Sequence, residues 1–272
     1  MTQSTPAMTA DAVASAADRL RAAAATGVPC APVRDLIGRE DLQAAYAVQE
    51  QLTRARLATG TTIVGRKIGL TSEAVQRQLG VGQPDFGILF ADMEYVGGET
   101  VPIEAFLQPR VEAEIAFVLD ADLTEGALDL DQVRDAIGYA VAALEICDSR
   151  VENWDISFGD TVADNASAGA YVLGPQRLRL DQVVPRDVEM TMTVTGQEDS
   201  TGTGAACLGD PLVAVQWLAR QARDFGQPLL AGQVILSGAL GPMRPVGPGA
   251  EVTATITGLG RVTAIFSRGV NA

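Results

Sequence analysis

The sequence predicts an α+β protein in which a small helix-rich N-terminal unit precedes a rolled, mixed β domain. Three observations predict it. Apolar residues at helical spacing fill the chain up to Gly60. Beyond that point short β-branched runs alternate with Gly and Pro, and only two further helical segments interrupt them. With 272 residues, 47% of them apolar, the chain can bury one large core beside a smaller companion.

Residues 1–10 are polar and expected to be loose. Residues 11–26 are Ala-rich and contain Leu20, which reads as a helix ending near Gly27, with Pro29 and Pro32 preventing its continuation. A second helix is expected over about 40–58. Asp41 lies near its start, Leu42, Ala45, Tyr46, Val48, Leu52 and Leu57 follow at roughly helical spacing, and Gly60 lies past its end. Thr61–Thr71 reads as a strand. The clearest later strand-like runs are 111–119, 141–147, 170–173, 188–195, 233–237, 251–257 and 261–266. Helices are expected over about 129–138 and over 211–224, the latter with Asp210 as N-cap, Pro211 as first helical residue and Gly226 as terminator. This organisation divides the chain into a helix-rich region, 1–75, and a β region, 76–272.

Composition removes whole classes of function. Lys and Arg number 20 against 34 Asp and Glu, a formal net charge of -14. That field repels polyanions, and no basic cluster offsets it, so nucleic acid is not an expected partner. No basic amphipathic helix and no apolar run of about 18 residues marks a membrane protein. The start, MTQSTPAMTADAVASAADRL, lacks a basic segment followed by an apolar one, so the expected location is the cytoplasm. Cys30, Cys147 and Cys207 make no CxxC pattern and are expected as reduced, buried thiols. Most informative is the absence of histidine. Ser-His-Asp triads, Cys-His dyads, His-ligated zinc and a His general base are all excluded. Acid-base work falls to Asp, Glu, Lys, Tyr or Cys, and any metal must be held mainly by oxygen, which favours Mg²⁺ or Mn²⁺.

In Gln108–Leu119 the odd positions Val111, Ala113, Ile115, Phe117 and Leu119 are apolar, while Glu112 and Glu114 fall on the other face of the strand. Such a pair can be a solvated edge, but Ala116 and Val118 make the same face apolar further along. Two carboxylates this close repel unless a cation or proton intervenes. Glu145 interrupts the apolar run Ala140–Cys147, and a buried carboxylate needs a partner or a metal. Arg110 or Arg150 could pair with it; alternatively it completes a three-carboxylate site with Glu112 and Glu114. Lys67 lies in strand-like VGRKIGLT, and Asp85 in turn-rich QPDFG. The Gly-rich Ser200–Ala206 lacks a GKS/T ending, and Cys207 stands where GxGxxG needs glycine, so nucleotide binding is rejected.

Taken together, GRKIGLTSEAVQRQLGVGQPDFGILFADM, QPRVEAEIAFVL, EICDSRVENWDISFGDTVADNAS and AGQVILSGALGPMRPV resemble the 2-hydroxypenta-2,4-dienoate (2-oxopent-4-enoate) hydratases of the fumarylacetoacetate hydrolase superfamily. The resemblance runs colinearly from about residue 35 to about residue 268. It implies a small N-terminal domain plus the superfamily's mixed β-roll, metal ligands at Glu112, Glu114 and Glu145, and Lys67 and Asp85 as the acid-base pair. Asn165, Ser167, Ser237 and Leu70 would line the substrate site. It further implies a 2-hydroxydienoate substrate, homo-oligomers, and a place in the meta-cleavage breakdown of aromatic compounds, with association with other pathway enzymes open. A dicarboxylate substrate would want a further cation, for which Arg66 is a candidate. The sister 2-oxo-3-enedioate decarboxylases share the metal triad but usually differ at the aspartate of QPDFG. The C–C hydrolases of the superfamily generally use a His-Glu pair, which this chain cannot form. A metal-binding scaffold subunit would need neither Lys67 nor Asp85.

Overall fold

Three helices open the chain in the computed structural model, which describes residues 10–72, 76 and 81–269: α1 (Ala10–Thr26), α2 (Arg34–Ile37) and α3 (Leu42–Ala58). Asp41 caps α3 by accepting from the Ala44 amide at 3.0 Å, which satisfies one of the donors a helix start leaves free. Small residues on the facing sides, Ala16 and Ala17 of α1 and Ala44 and Ala45 of α3, let the helices pack closely. Their cluster is completed from far along the chain by Phe158, Val162 and Ala163. These belong to α5 (Phe158–Ala163); α4 is Leu130–Ala136 and α6 is Pro211–Asp224.

The remainder is built from two mixed sheets. The larger contains β1 (Ile63–Gly69), β2 (Asp85–Phe90), β3 (Glu94–Val96), β5 (Pro109–Leu119), β6 (Ile137–Asp148), β7 (Ala168–Leu178), β10 (Val234–Ala239) and β11 (Arg244–Pro245). Its strand order is β2-β1-β10-β5-β6-β7-β3, with β11 also on β5. The smaller, of β4 (Thr100–Val101), β8 (Glu189–Val194), β9 (Ser200–Thr203), β12 (Glu251–Ile256) and β13 (Gly260–Phe266), is ordered β4-β13-β12-β8-β9. In β8 only Met190, Met192 and Val194 are buried, so one face is wet; β5 and β6 are buried on both faces through most of their length. The two sheets share one core, in which Ile115 and Phe117 of β5, Leu144 of β6, Ala254 of β12 and Phe266 of β13 are sealed from solvent. On α6, Asp210 accepts from the Leu212 amide at 2.9 Å and Pro211 occupies the first turn, as the sequence predicts.

Three expectations change. The helix expected over 129–138 stops at Ala136 because Ile137 opens β6, whose apolar run continues directly from it. The QPDFG turn is the entrance to a strand: Asp85 begins β2 and pairs with Gly69 of β1. β1 falls on the helical side of a division at 75/76, yet its hydrogen bonds go to β2 and β10. Strand pairing therefore assigns it to the sheet. The stretch of the RKIGLT–QPDFG motif between Glu73 and Gly80, Gln76 apart, and residues 1–9 lie outside the described residues. Among the described residues no helix is long and apolar enough to cross a membrane.

Candidate active site

Successive side chains of a strand point to opposite faces, and this sorts the candidates. Lys67 of β1 and Asp85 of β2 open onto one cavity, whereas their neighbours Arg66 and Phe86 open onto another. On β5, Glu112 and Glu114 share a face, and the antiparallel register sets Glu112 directly opposite Glu145 of β6. β10 runs between β1 and β5. Beside the carboxylates it carries Gly238, whose φ is 114° and whose added Cβ would lie 2.3 Å from Thr71 Oγ1. Only glycine fits there, and its amide donates to Glu114 Oε2 at 2.8 Å.

Lys67 Nζ sits 2.9 Å from Glu145 Oε1 and donates to the Ala166 carbonyl at 3.0 Å. The contact with Glu145 is ionic, without the alignment of a hydrogen bond. Burial alone would pull the Lys67 ammonium down, but Glu145, Cys147, Glu112 and Asp85 outweigh it and hold the lysine well above its usual range. It is protonated. Glu145 therefore pairs with Lys67 rather than with Arg110 or Arg150; Arg150 instead binds Asp164. Burial pushes Asp85 up to about 6, against the opposing pull of Lys67. Its Oδ2 meets the Thr161 hydroxyl of α5 at 3.4 Å, and Oδ1 has no hydrogen-bond partner. The space for Oδ1 is supplied by Gly69, where a Cβ would lie 2.2 Å from it.

After α5 the chain bends sharply. Asn165, Ala166 and Ser167 hold φ of 55°, 51° and 53° in succession, a region that costs a non-glycine residue about 1–2 kcal/mol. The bend brings the Ala166 carbonyl to Lys67. It is pinned by the Asn165 side chain, which accepts from the Ile88 amide at 2.7 Å and donates to the Ile88 carbonyl at 3.0 Å.

Glu112, Glu114 and Glu145 are 6%, 0% and 0% exposed, which excludes a solvated edge. Burial, then the charge of Glu145, pushes Glu112 up to about 7 and Glu114 well above the carboxylate range. Glu114 Oε1 and Glu145 Oε2 have no partner. Buried carboxylates with idle oxygens are strongly unfavourable, and this donor set fits a hard divalent cation. Among the described residues the group whose ligand atoms lie within 4.8 Å of one another is Glu112, Glu145 and Cys147, and Glu114 is not part of it. The Cys147 thiol donates to Glu112 Oε1 at 3.6 Å, and burial, then Glu112, raises it well above the usual thiol range, so it stays protonated beside the oxygens.

The cavity over this cluster measures about 110 Å³, and Leu70, Trp154, Ser167 and Met243 join Lys67, Asp85 and Glu112 in lining it. Of the residues expected to line a substrate site, Leu70 and Ser167 line this cavity. Asn165 is turned onto Ile88, and Ser237 is sealed in the sheet, its hydroxyl donating to the Ile115 carbonyl at 2.8 Å. Arg66 lies across β1, so it does not supply a cation to this cavity. Sequence reasoning misses Thr161, Trp154 and the Ala166 carbonyl, which nothing local marks. The glycines of KIGL and LSGAL were the legible signal for Gly69 and Gly238.

The fold and the site define a class. Residues 60–266 match the fumarylacetoacetate (FAA) hydrolase C-terminal model, and the chain belongs to that family. Within it, the chain is 54% identical over 257 residues to a "TodF product hydratase" of Pseudomonas putida, covering 94% of this chain and 96% of the relative. It is 49% identical to a 2-keto-4-pentenoate hydratase of Burkholderia vietnamiensis, covering 94% and 98%. Among solved structures, 4-oxalocrotonate decarboxylase from Pseudomonas putida G7, complexed with magnesium and adipate, superposes with a TM-score of 0.91 at 33% identity, covering 96% of this chain and 100% of that one.

Proposed function

We propose that this chain is a 2-keto-4-pentenoate hydratase, a hydro-lyase that adds water to 2-hydroxypenta-2,4-dienoate to give 4-hydroxy-2-oxopentanoate in the meta-cleavage catabolism of aromatic compounds. One observation carries the reading: Asp85 and Lys67 stand buried together at the mouth of an all-oxygen carboxylate cluster. Relatives about half identical over nearly the whole chain bear the hydratase name. Glu112, Glu114 and Glu145 would hold Mg²⁺ or Mn²⁺, which when bound supplies Lewis acidity to the carboxylate and 2-oxygen of the substrate.

The remaining chemistry belongs to the chain. The reaction delivers a proton to C5 of the dienol and removes the enol proton, leaving an α,β-unsaturated ketone. Water then adds, its hydroxyl to C4 and its proton to C3. Asp85, with Oδ1 free, orients the water and takes its proton. Lys67, fixed by Glu145 and the Ala166 carbonyl, supplies positive charge beside the substrate and a proton to carbon. Leu70, Trp154 and Met243 keep bulk water out. In this reading the enzyme acts in the cytoplasm as a homo-oligomer on a small acid, without nucleic acid or membrane, and is open to association with other enzymes of its pathway.

The test is the ultraviolet absorbance of freshly generated 2-hydroxypenta-2,4-dienoate with enzyme, with and without Mg²⁺ or Mn²⁺. Cation-dependent loss of the dienol band with formation of 4-hydroxy-2-oxopentanoate is expected. No loss, with CO₂ released from a 2-oxo-3-enedioate instead, would replace the hydratase by the decarboxylase reading.

A further inference from the structure

Back to back with the active-site cavity, across β1 and β2, lies a second one of about 320 Å³. Tyr46 of α3, Phe86 of β2 and Phe225, which follows α6, give it an aromatic wall. Tyr46 stacks on Phe86 with centroids 4.8 Å apart, and Phe225 sits 4.7 Å from Tyr46. Into this cavity opens Arg66, only 3% exposed. Its Nη1 donates to its neighbour's carbonyl, Gly65 O, at 3.1 Å, and its Nη2 reaches Gln227 Oε1 only at 3.4 Å. Its Nε has no partner. Among the described residues no carboxylate pairs with Arg66, and burial lowers its pKa to about 10 with no acid opposing the shift. The one acidic residue lining the cavity, Glu50, is half exposed and pairs with Arg54.

Outside the acidic cluster, other buried ionised groups are answered, Asp160 by Arg34 and Asp164 by Arg150, and within it Lys67 meets Glu145. A guanidinium held from water without an acid is costly. Its unpartnered Nε, buried beside the loosely engaged Nη2, lies on the edge of the guanidinium that pairs side-on with a carboxylate. The flat aromatic wall suits a planar apolar body. A single guanidinium in a chain of net charge -14 suits a monoanion better than a phosphate or a dicarboxylate.

We propose that the Arg66 cavity is a second ligand site, separate from the reaction centre, which binds a small monocarboxylate with a planar, apolar body. The carboxylate lies on Nε and Nη2 of Arg66, and the body lies against Tyr46, Phe86 and Phe225. The proposal does not depend on the hydratase reading, since it concerns the opposite face of the sheet.

The chain's two tryptophans provide a test. Trp154 lines the active-site cavity, whereas Trp217 packs edge-on against Phe86, centroids 6.4 Å apart. In a Trp154→Phe variant, Trp217 emission therefore reports on the second site alone. Titration with benzoate should give a saturable change, and benzyl alcohol should give none. Arg66→Met in that background should weaken benzoate binding at least tenfold, while its melting temperature without ligand is no lower than the parent's because an unpaired charge has gone. Ala47→Phe, which fills the cavity and keeps Arg66, should weaken binding as well, so the outcome does not rest on one variant. A benzoate response that survives both substitutions, or no saturable response in the parent, overturns the proposal. So does an Arg66→Met protein that loses its assembly state, which would assign the missing carboxylate to a neighbouring subunit.

Discussion

Asp85 is poised by three neighbours that do different things: Gly69 leaves room for Oδ1, Thr161 touches Oδ2, and Lys67 opposes the upward push of burial. Asp85→Asn keeps the shape and removes the proposed base, so kcat should fall by about 10²–10⁴ while substrate binding stays close to the parent's. Steady-state kinetics on the dienol checks this, and a kcat within a few-fold of the parent's would take Asp85 out of the mechanism. Gly69→Ala tests position instead of chemistry. The new methyl would overlap Asp85 Oδ1, so the carboxylate must rotate away, and kcat should fall at least tenfold although Asp85 and Lys67 both remain. A Gly69→Ala enzyme with normal kcat would mean that Asp85 works from another rotamer. At this scale the sequence was informative where alternation was applied. The spacing of Glu112 and Glu114 put both carboxylates on one face. The same rule separates Arg66 from Lys67, which is why a cation at Arg66 cannot serve a substrate lying on Lys67.

Elements were legible when their ends or their periodicity were local. Asp41 and Asp210 cap α3 and α6 as their side chains predict. α5 was not legible, because all its residues from Phe158 to Ala163 are buried and a helix wet on no side has no amphipathic period. β2 was hidden by Pro84 and Gly87, which punctuate it as a turn. The register that sets Glu112 against Glu145 is long-range, and no local pattern contains it. Ser237 on β10 illustrates the difference between a motif and its geometry. The resemblance makes it a substrate contact, but its hydroxyl is fully buried and donates to the Ile115 carbonyl of β5. Ser237→Ala should therefore lower stability by about 1–2 kcal/mol, from the carbonyl left unsatisfied, and leave KM unchanged. A raised KM with an unchanged melting temperature would return Ser237 to the substrate site.

For the whole molecule, the decisive quantity is the charge enclosed by the larger sheet. Glu112, Glu114 and Glu145 lie within it beside a single ammonium, Lys67, and Asp85 adds a further acid. Without a cation, burial and mutual repulsion push Glu112 and Glu114 upward, and Glu114 Oε1 and Glu145 Oε2 stay idle. A divalent cation that binds only the folded chain shifts the folding equilibrium by mass action, about 2.7 kcal/mol at a free concentration 100 times its Kd. For a chain of this size each kcal/mol moves the melting temperature by about 2–4 °C. Saturating Mg²⁺ or Mn²⁺ should thus raise the melting temperature by about 5–10 °C over the protein in EDTA, with no substrate present. Glu112→Gln removes one ligand charge and should abolish most of that increment. It need not destabilise the cation-free protein, because a neutral amide meets less repulsion from Glu145 than a carboxylate does. Scanning calorimetry of both proteins, with and without cation, separates the two effects. A parent protein whose melting temperature ignores the cation would show that the three glutamates do not hold it, whatever the dienol assay reports.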